Sequence, residues 1–61
     1  MMTLADQMRQ KGNDFLAKGE YEEAMKHYSE AIELYSADYK DLKSQCYASR
    51  AVCYLKQVNY F

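Results

Sequence analysis

Apolar and small residues recur along this 61-residue chain at intervals of three and four, the period of an amphipathic helix, in three runs separated by turn signals. The first run, Thr3 to about Lys18, sets Leu4, Met8, Gly12, Phe15 and Leu16 on one face, with Thr3 or Asp6 able to cap its start through a side-chain oxygen. The second places Tyr21, Ala24, Met25, Tyr28, Ala31, Ile32 and Tyr35 on a stripe, with Glu22, Glu23, Lys26 and Glu30 turned to water. The third, from about Asp38 to Gln57, carries Leu42, Cys46, Tyr47, Ala51, Tyr54, Leu55 and Val58. The pattern predicts helices over about 3–18, 20–36 and 38–58, and so a single all-α unit covering 1–61: an antiparallel helical hairpin with a third helix packed on it.

The only two glycines fall within and just after the first run, although glycine costs a helix interior about 1 kcal/mol relative to alanine. Gly19, in "AKGEY", falls at the end of the first run, where the left-handed conformation closes a helix without steric cost. A connection this short forces the two helices side by side. Gly12 lies mid-run and, with Ala24 and Ala31, lets the two backbones approach, so it is expected to be a packing glycine.

Composition narrows the functional classes more than it changes the fold. The chain has no proline, is 49% hydrophobic and 28% charged, and is near the size at which one core barely suffices. Its net charge of −1 comes from interleaved signs, which excludes a basic nucleic-acid footprint. With no apolar h-region at the start and no run of about 18 apolar residues, it reads as soluble, cytoplasmic and without a membrane partner. Cys46 and Cys53, seven residues apart in one helix, would lie about 10 Å apart, too far for a disulfide. His27, the sole histidine, has no second ligand at a zinc spacing, and it reads as a surface residue beside Glu23 and Glu30. No nucleophile triad, phosphate loop or paired-carboxylate signature occurs, so neither an enzyme nor a cofactor is expected. The seven tyrosines read as core or groove wall.

Together these residues resemble a tetratricopeptide repeat, a helix-turn-helix unit of about 34 residues with the pattern W-x2-L-G-x2-Y, A-x3-F and P. Met8 stands at the Trp position, Lys11 at Leu, Gly12 at Gly, Phe15 at Tyr, Ala24 at Ala and Tyr28 at Phe, while Gly19, Tyr21 and Ala31 match further shared positions. A second, incomplete unit begins near Ser44, with Tyr47, Ala51 and Tyr54 at the Trp, Gly and Tyr positions, Val58 for the hinge glycine and Tyr60 for the residue matching Tyr21. The resemblance implies about one and a half repeats. Gly12 and Ala51 are 39 apart, so the junction "LYSADYKDLKSQ" holds about five residues beyond the usual period. Ser36 replaces the family proline, which fits a second helix running past its usual stop.

"MRQKGNDF" is similar to the start of the repeats that grip the C-terminal carboxylate of heat-shock chaperones in a carboxylate clamp. That likeness implies a co-chaperone-type interaction module in which the first and third helices hold an extended acidic peptide. Arg9 and Asn13, one helical turn apart, take the first two clamp positions, although the family usually has Lys at the first. A guanidinium gives charge-assisted hydrogen bonds to a carboxylate, and an amide supplies a directed donor. Ser49 stands where the next clamp Asn is expected, and two basic residues of a third unit have no counterpart. Leu16, Gln45, Val52 and Lys56 are expected along the same groove. A different expectation follows from the incomplete second unit: Tyr47, Ala51, Tyr54 and Val58 form an uncovered face. The chain would then self-associate as a homo-oligomer, or dock with the rest of a longer protein.

Overall fold

Helix α1 (Leu4–Ala17) begins where Thr3, in an extended conformation, accepts the Asp6 backbone N–H on its Oγ1 at 3.1 Å. Asp6 reciprocates by accepting the Thr3 N–H at 3.3 Å, so the two candidate caps act together as a capping box. The computed structural model describes residues 2–59; the expectation for Tyr60 lies outside the described residues.

Gly19 ends α1 with φ of +80°, in the left-handed region. Its N–H donates to the Leu16 carbonyl and that of Glu20 to the Phe15 carbonyl, at 3.0 and 2.9 Å. This is a Schellman closure, and it turns the chain directly into α2 (Tyr21–Leu34). Contacts that pair Asp6 with Tyr35, Asn13 with Tyr28 and Phe15 with His27 run in opposite directions along the two helices, so the hairpin is antiparallel.

Gly12 is where the hairpin is tightest. A Cβ there would lie 2.8 Å from Cδ1 and Cε1 of Tyr28, whose ring is fully buried. The glycine makes room for an aromatic side chain from the returning helix, which is why the repeat tolerates its cost in helix propensity.

The second helix stops two residues before the expected 36. Tyr35 leaves the helix at ψ of 133°, and Ser36 is extended. The extra residues of the junction form a 3₁₀ turn (Ala37–Tyr39) that leads into α3 (Lys40–Asn59), rather than lengthening α2. A buried Tyr35, tied by its hydroxyl to α1, fixes that exit.

Helix α2 lies between α1 and α3 and supplies most of the buried side chains: Ala24, Tyr28, Ala31 and Ile32, with Tyr35 at its end. The apolar stripe read on the third segment divides. Cys46 and Cys53 are fully buried against α2 and Leu42 half-buried, whereas Tyr47, Ala51, Tyr54, Leu55 and Val58 are exposed. In α1, Ala5 takes the buried place expected of Leu4, which is exposed. Both corrections have one cause: close helix approach favours small side chains at the contact, and the bulky neighbours one position along are rotated outward.

Candidate peptide-binding face

The polar residues of α1 are held by two tyrosines, Tyr28 within α2 and Tyr35 at its C-cap. Tyr28 and Tyr35, seven apart, lie on one stripe of that helix, as do Arg9 and Asn13 on α1. The Tyr28 hydroxyl donates to Asn13 Oδ1 at 2.5 Å, and the Ser49 hydroxyl of α3 faces the same phenol. One buried ring therefore gathers a residue from each flanking helix. Burial raises the Tyr28 pKa, keeping the hydroxyl protonated as a donor.

Seven residues along, the Tyr35 hydroxyl donates to Asp6 Oδ1 at 2.5 Å and accepts from Arg9 Nε at 3.0 Å. Arg9 Nη2 stands 3.8 Å from the same carboxylate oxygen. The Tyr35 hydroxyl, followed by the Thr3 backbone N–H, pulls Asp6 below the usual carboxylate range. Burial, followed by the hydrogen bond to Asp6, raises Tyr35 itself. At neutral pH the cluster holds one carboxylate, one guanidinium and one neutral phenol.

Among the other residues expected along the groove, Ser49 is half-buried beside Tyr28, while Gln45, Val52 and Lys56 are exposed on α3. Positions 45, 49, 52 and 56 share one face of that helix by spacing. Leu16 is half-buried and packs on the core, so it serves the fold as well as the rim.

The sequence reading missed Tyr28, Tyr35 and Asp6 as parts of this network. The available signal was tyrosine, rather than phenylalanine, at two core positions of α2, since a buried phenol needs a hydrogen-bond partner. It also missed Arg50, whose Nη1 donates to Ser29 Oγ at 2.9 Å and whose guanidinium lies 5.1 Å from the centre of the Tyr47 ring. His27 is half-buried: its Nδ1 hydrogen-bonds the Glu23 carbonyl at 2.9 Å, and its ring lies 5.0 Å from Phe15.

A second surface lies between α2 and α3. Met25, Tyr47, Arg50, Ala51, Tyr54 and Leu55 line an open groove. Tyr47, Tyr54, Leu55 and Val58 keep half or more of their surface exposed. Among the described residues no helix is long and apolar enough to cross a membrane.

Two helices closed by a Schellman glycine, locked by a glycine–tyrosine contact and followed by a third helix, define a tetratricopeptide-type interaction module. The chain carries such a repeat: residues 12–38 match the family model described as "TPR repeat". Hsp70-Hsp90 organizing protein 3 of Arabidopsis thaliana is 44% identical over 54 residues, covering 88% of this chain and 9% of that protein. Hsp70-Hsp90 organizing protein 1 of Glycine max is 47% identical over 53 residues, covering 87% and 8%. Protein unc-45 homolog B of Xenopus tropicalis is 37% identical over 54 residues, covering 88% and 6%. The chain spans less than a tenth of the length of these curated relatives. No solved structure matches it.

Proposed function

We propose that the chain is a cytoplasmic protein-interaction module, not an enzyme, which binds the acidic C-terminal tail of a partner protein of the heat-shock chaperone type. The tail lies along the face of α1 and α3, with its terminal carboxylate at Arg9 and Asn13 and its preceding residues against Leu16, Gln45, Ser49, Val52 and Lys56. The observation that carries this reading is that Arg9 and Asn13 sit one turn apart, each anchored from behind by a tyrosine hydroxyl. The names of the Hsp70-Hsp90 organizing relatives support the choice of partner. Single groups of this kind give modest affinity alone, because hydrogen bonds to a charged group contribute roughly 1.5–3 kcal/mol each.

The test is a titration of the chain with an acidic peptide bearing a free C-terminal carboxylate, and with the same peptide ending in a carboxamide. Tighter binding of the free acid is expected. Equal affinity for both would remove the carboxylate from the reading.

A second reading is favoured by the exposed surface of α3. Tyr47, Ala51 and Tyr54 line the open groove beside Met25 of α2 and, like Val58, are exposed, and an exposed apolar face of this kind commonly marks a contact with another chain. In this reading the chain associates with copies of itself, or docks on further repeats, through that face. Light scattering across a concentration series separates it from the first: a mass fixed at one chain at high concentration argues against self-association.

A further inference from the structure

Among the described residues, helix α3 buries two side chains completely, Cys46 and Cys53, both free thiols. Two polar ties from this helix to α2 fall between them: Arg50 Nη1 donates to Ser29 Oγ at 2.9 Å, and the Ser49 hydroxyl faces the Tyr28 phenol. Tyr47, Val52, Tyr54 and Leu55, in the same stretch, are exposed, and α2 is the one helix on which α3 packs extensively. An element held this narrowly opens more readily than the hairpin it rests on.

While α3 is docked, its thiols are shielded from reagents and from each other. Burial raises the pKa of both, which keeps them protonated and poorly nucleophilic. Seven residues of helix set their Cα atoms about 10 Å apart, whereas a disulfide needs about 7 Å or less. Departure of α3 from α2 with unwinding lifts both limits together. The thiols reach water, and the short segment between them closes into a loop at small entropic cost.

We propose that Cys46 and Cys53 form a thiol switch on α3: a small-molecule disulfide converts the opened helix into an intramolecularly cross-linked form that cannot rewind or dock until a reductant opens the bond. In the first step one thiolate attacks the small disulfide, forms a mixed disulfide and expels one small thiolate. In the second, the other thiolate attacks the chain's own sulfur in that bond and expels the remaining small thiolate. The chain gives up two protons and two electrons, and the small disulfide becomes two thiols. The cross-linked loop contains Ser49 and Arg50, so the ties to Tyr28 and Ser29 are lost with the helix.

The 61-residue chain, dilute and without denaturant, is incubated with oxidised glutathione, quenched with an alkylating agent, and followed by intact mass and helical circular dichroism. The expected product is two hydrogens lighter than the starting chain, carries no alkyl group and has lost helical signal, up to the full contribution of α3. Dithiothreitol should restore the mass and the spectrum together. A cross-linked product that keeps the full helical signal overturns the proposal, because the docked helix then accommodates the bond. Glutathione adducts that persist without ring closure overturn it as well, since the opened thiols then do not meet, and so do products joining two copies. Thiols that stay unreacted until denaturant is added overturn it from the other side, because α3 then leaves α2 only when the whole chain unfolds.

Discussion

At the scale of single residues, the Gly12–Tyr28 contact concentrates the fold's demand for shape. A Cβ at position 12 meets the fully buried Tyr28 ring at 2.8 Å, and a buried ring cannot move aside as the end of a flexible side chain can. Gly12→Leu is therefore expected to cost about 1–3 kcal/mol through overpacking, read as a lower thermal midpoint, enough to matter in a domain of this size. An unchanged midpoint would mean that the hairpin does not close around this contact. Asp6 gives a prediction about pH. Its pKa is depressed in the folded chain, mainly by the Tyr35 hydroxyl and next by the Thr3 backbone N–H, so the folded state binds that proton less readily than the unfolded state does. The stability it contributes is thus complete above the unfolded carboxylate range and is lost as pH falls through the folded value. Thermal midpoints from about pH 7 to about pH 2 should drop less steeply in Asp6→Asn than in the unaltered chain. Legibility at this scale divided by chemistry. Gly12, Gly19 and the pair Arg9 and Asn13 were visible because glycine in a helix and a charge beside an amide are local anomalies. The hydroxyl network was not, because which phenol meets which side chain is decided by how the two helices face each other, and the periodicity of either helix alone does not contain that.

At the scale of elements, the helices follow from apolar spacing, but one junction does not. The absence of proline at position 36 suggested a longer second helix, yet α2 ends at Leu34 and Ser36 has φ of −77° and ψ of 171°. Those values suit proline, and Tyr35 before it, at φ of −71° and ψ of 133°, already has the extended backbone that a residue preceding proline prefers. Ser36→Pro should accordingly be tolerated and should raise stability by about 0.4–1 kcal/mol by restricting the unfolded chain. A large loss in a denaturant titration would show that the junction is helical in solution. The division of the α3 stripe has the same lesson. Spacing alone put Cys46 and Tyr47 on one apolar surface, but only small side chains fit against α2, so the thiols face inward and the aromatics outward. Burial raises the pKa of both Cys46 and Cys53. A thiol reagent should therefore react slowly with the native chain and rapidly in denaturant. Fast native labelling of both would show α3 leaving α2 far more often than global unfolding does.

At the scale of the whole molecule, the two surfaces of α3 make opposite demands on it. Its inward side is narrow, set by Cys46, Ser49 and Cys53, while its outward side carries Tyr47, Tyr54, Leu55 and Val58 into solvent. A tetratricopeptide array meets this problem by stacking units, since one unit cannot bury its apolar face alone. Among the described residues this face of α3 is uncovered, so concentration should act on these 61 residues studied alone. If copies cover one another, mass measured by light scattering should rise with concentration, and Tyr54→Lys combined with Val58→Glu should return it to one chain, because each substitution puts a charge into what would be a desolvated contact. Both positions are exposed and remote from the hairpin's buried contacts, so the doubly substituted chain should keep its helical spectrum and thermal midpoint. Peptide binding should also survive, since Arg9 and Asn13 lie on α1 and Ser49 points toward Tyr28 rather than toward Tyr54. An assembly that persists in the substituted chain would place the contact elsewhere, and the exposed cluster of Leu4, Leu34 and Tyr39 at the far end of the hairpin would be the next surface to charge.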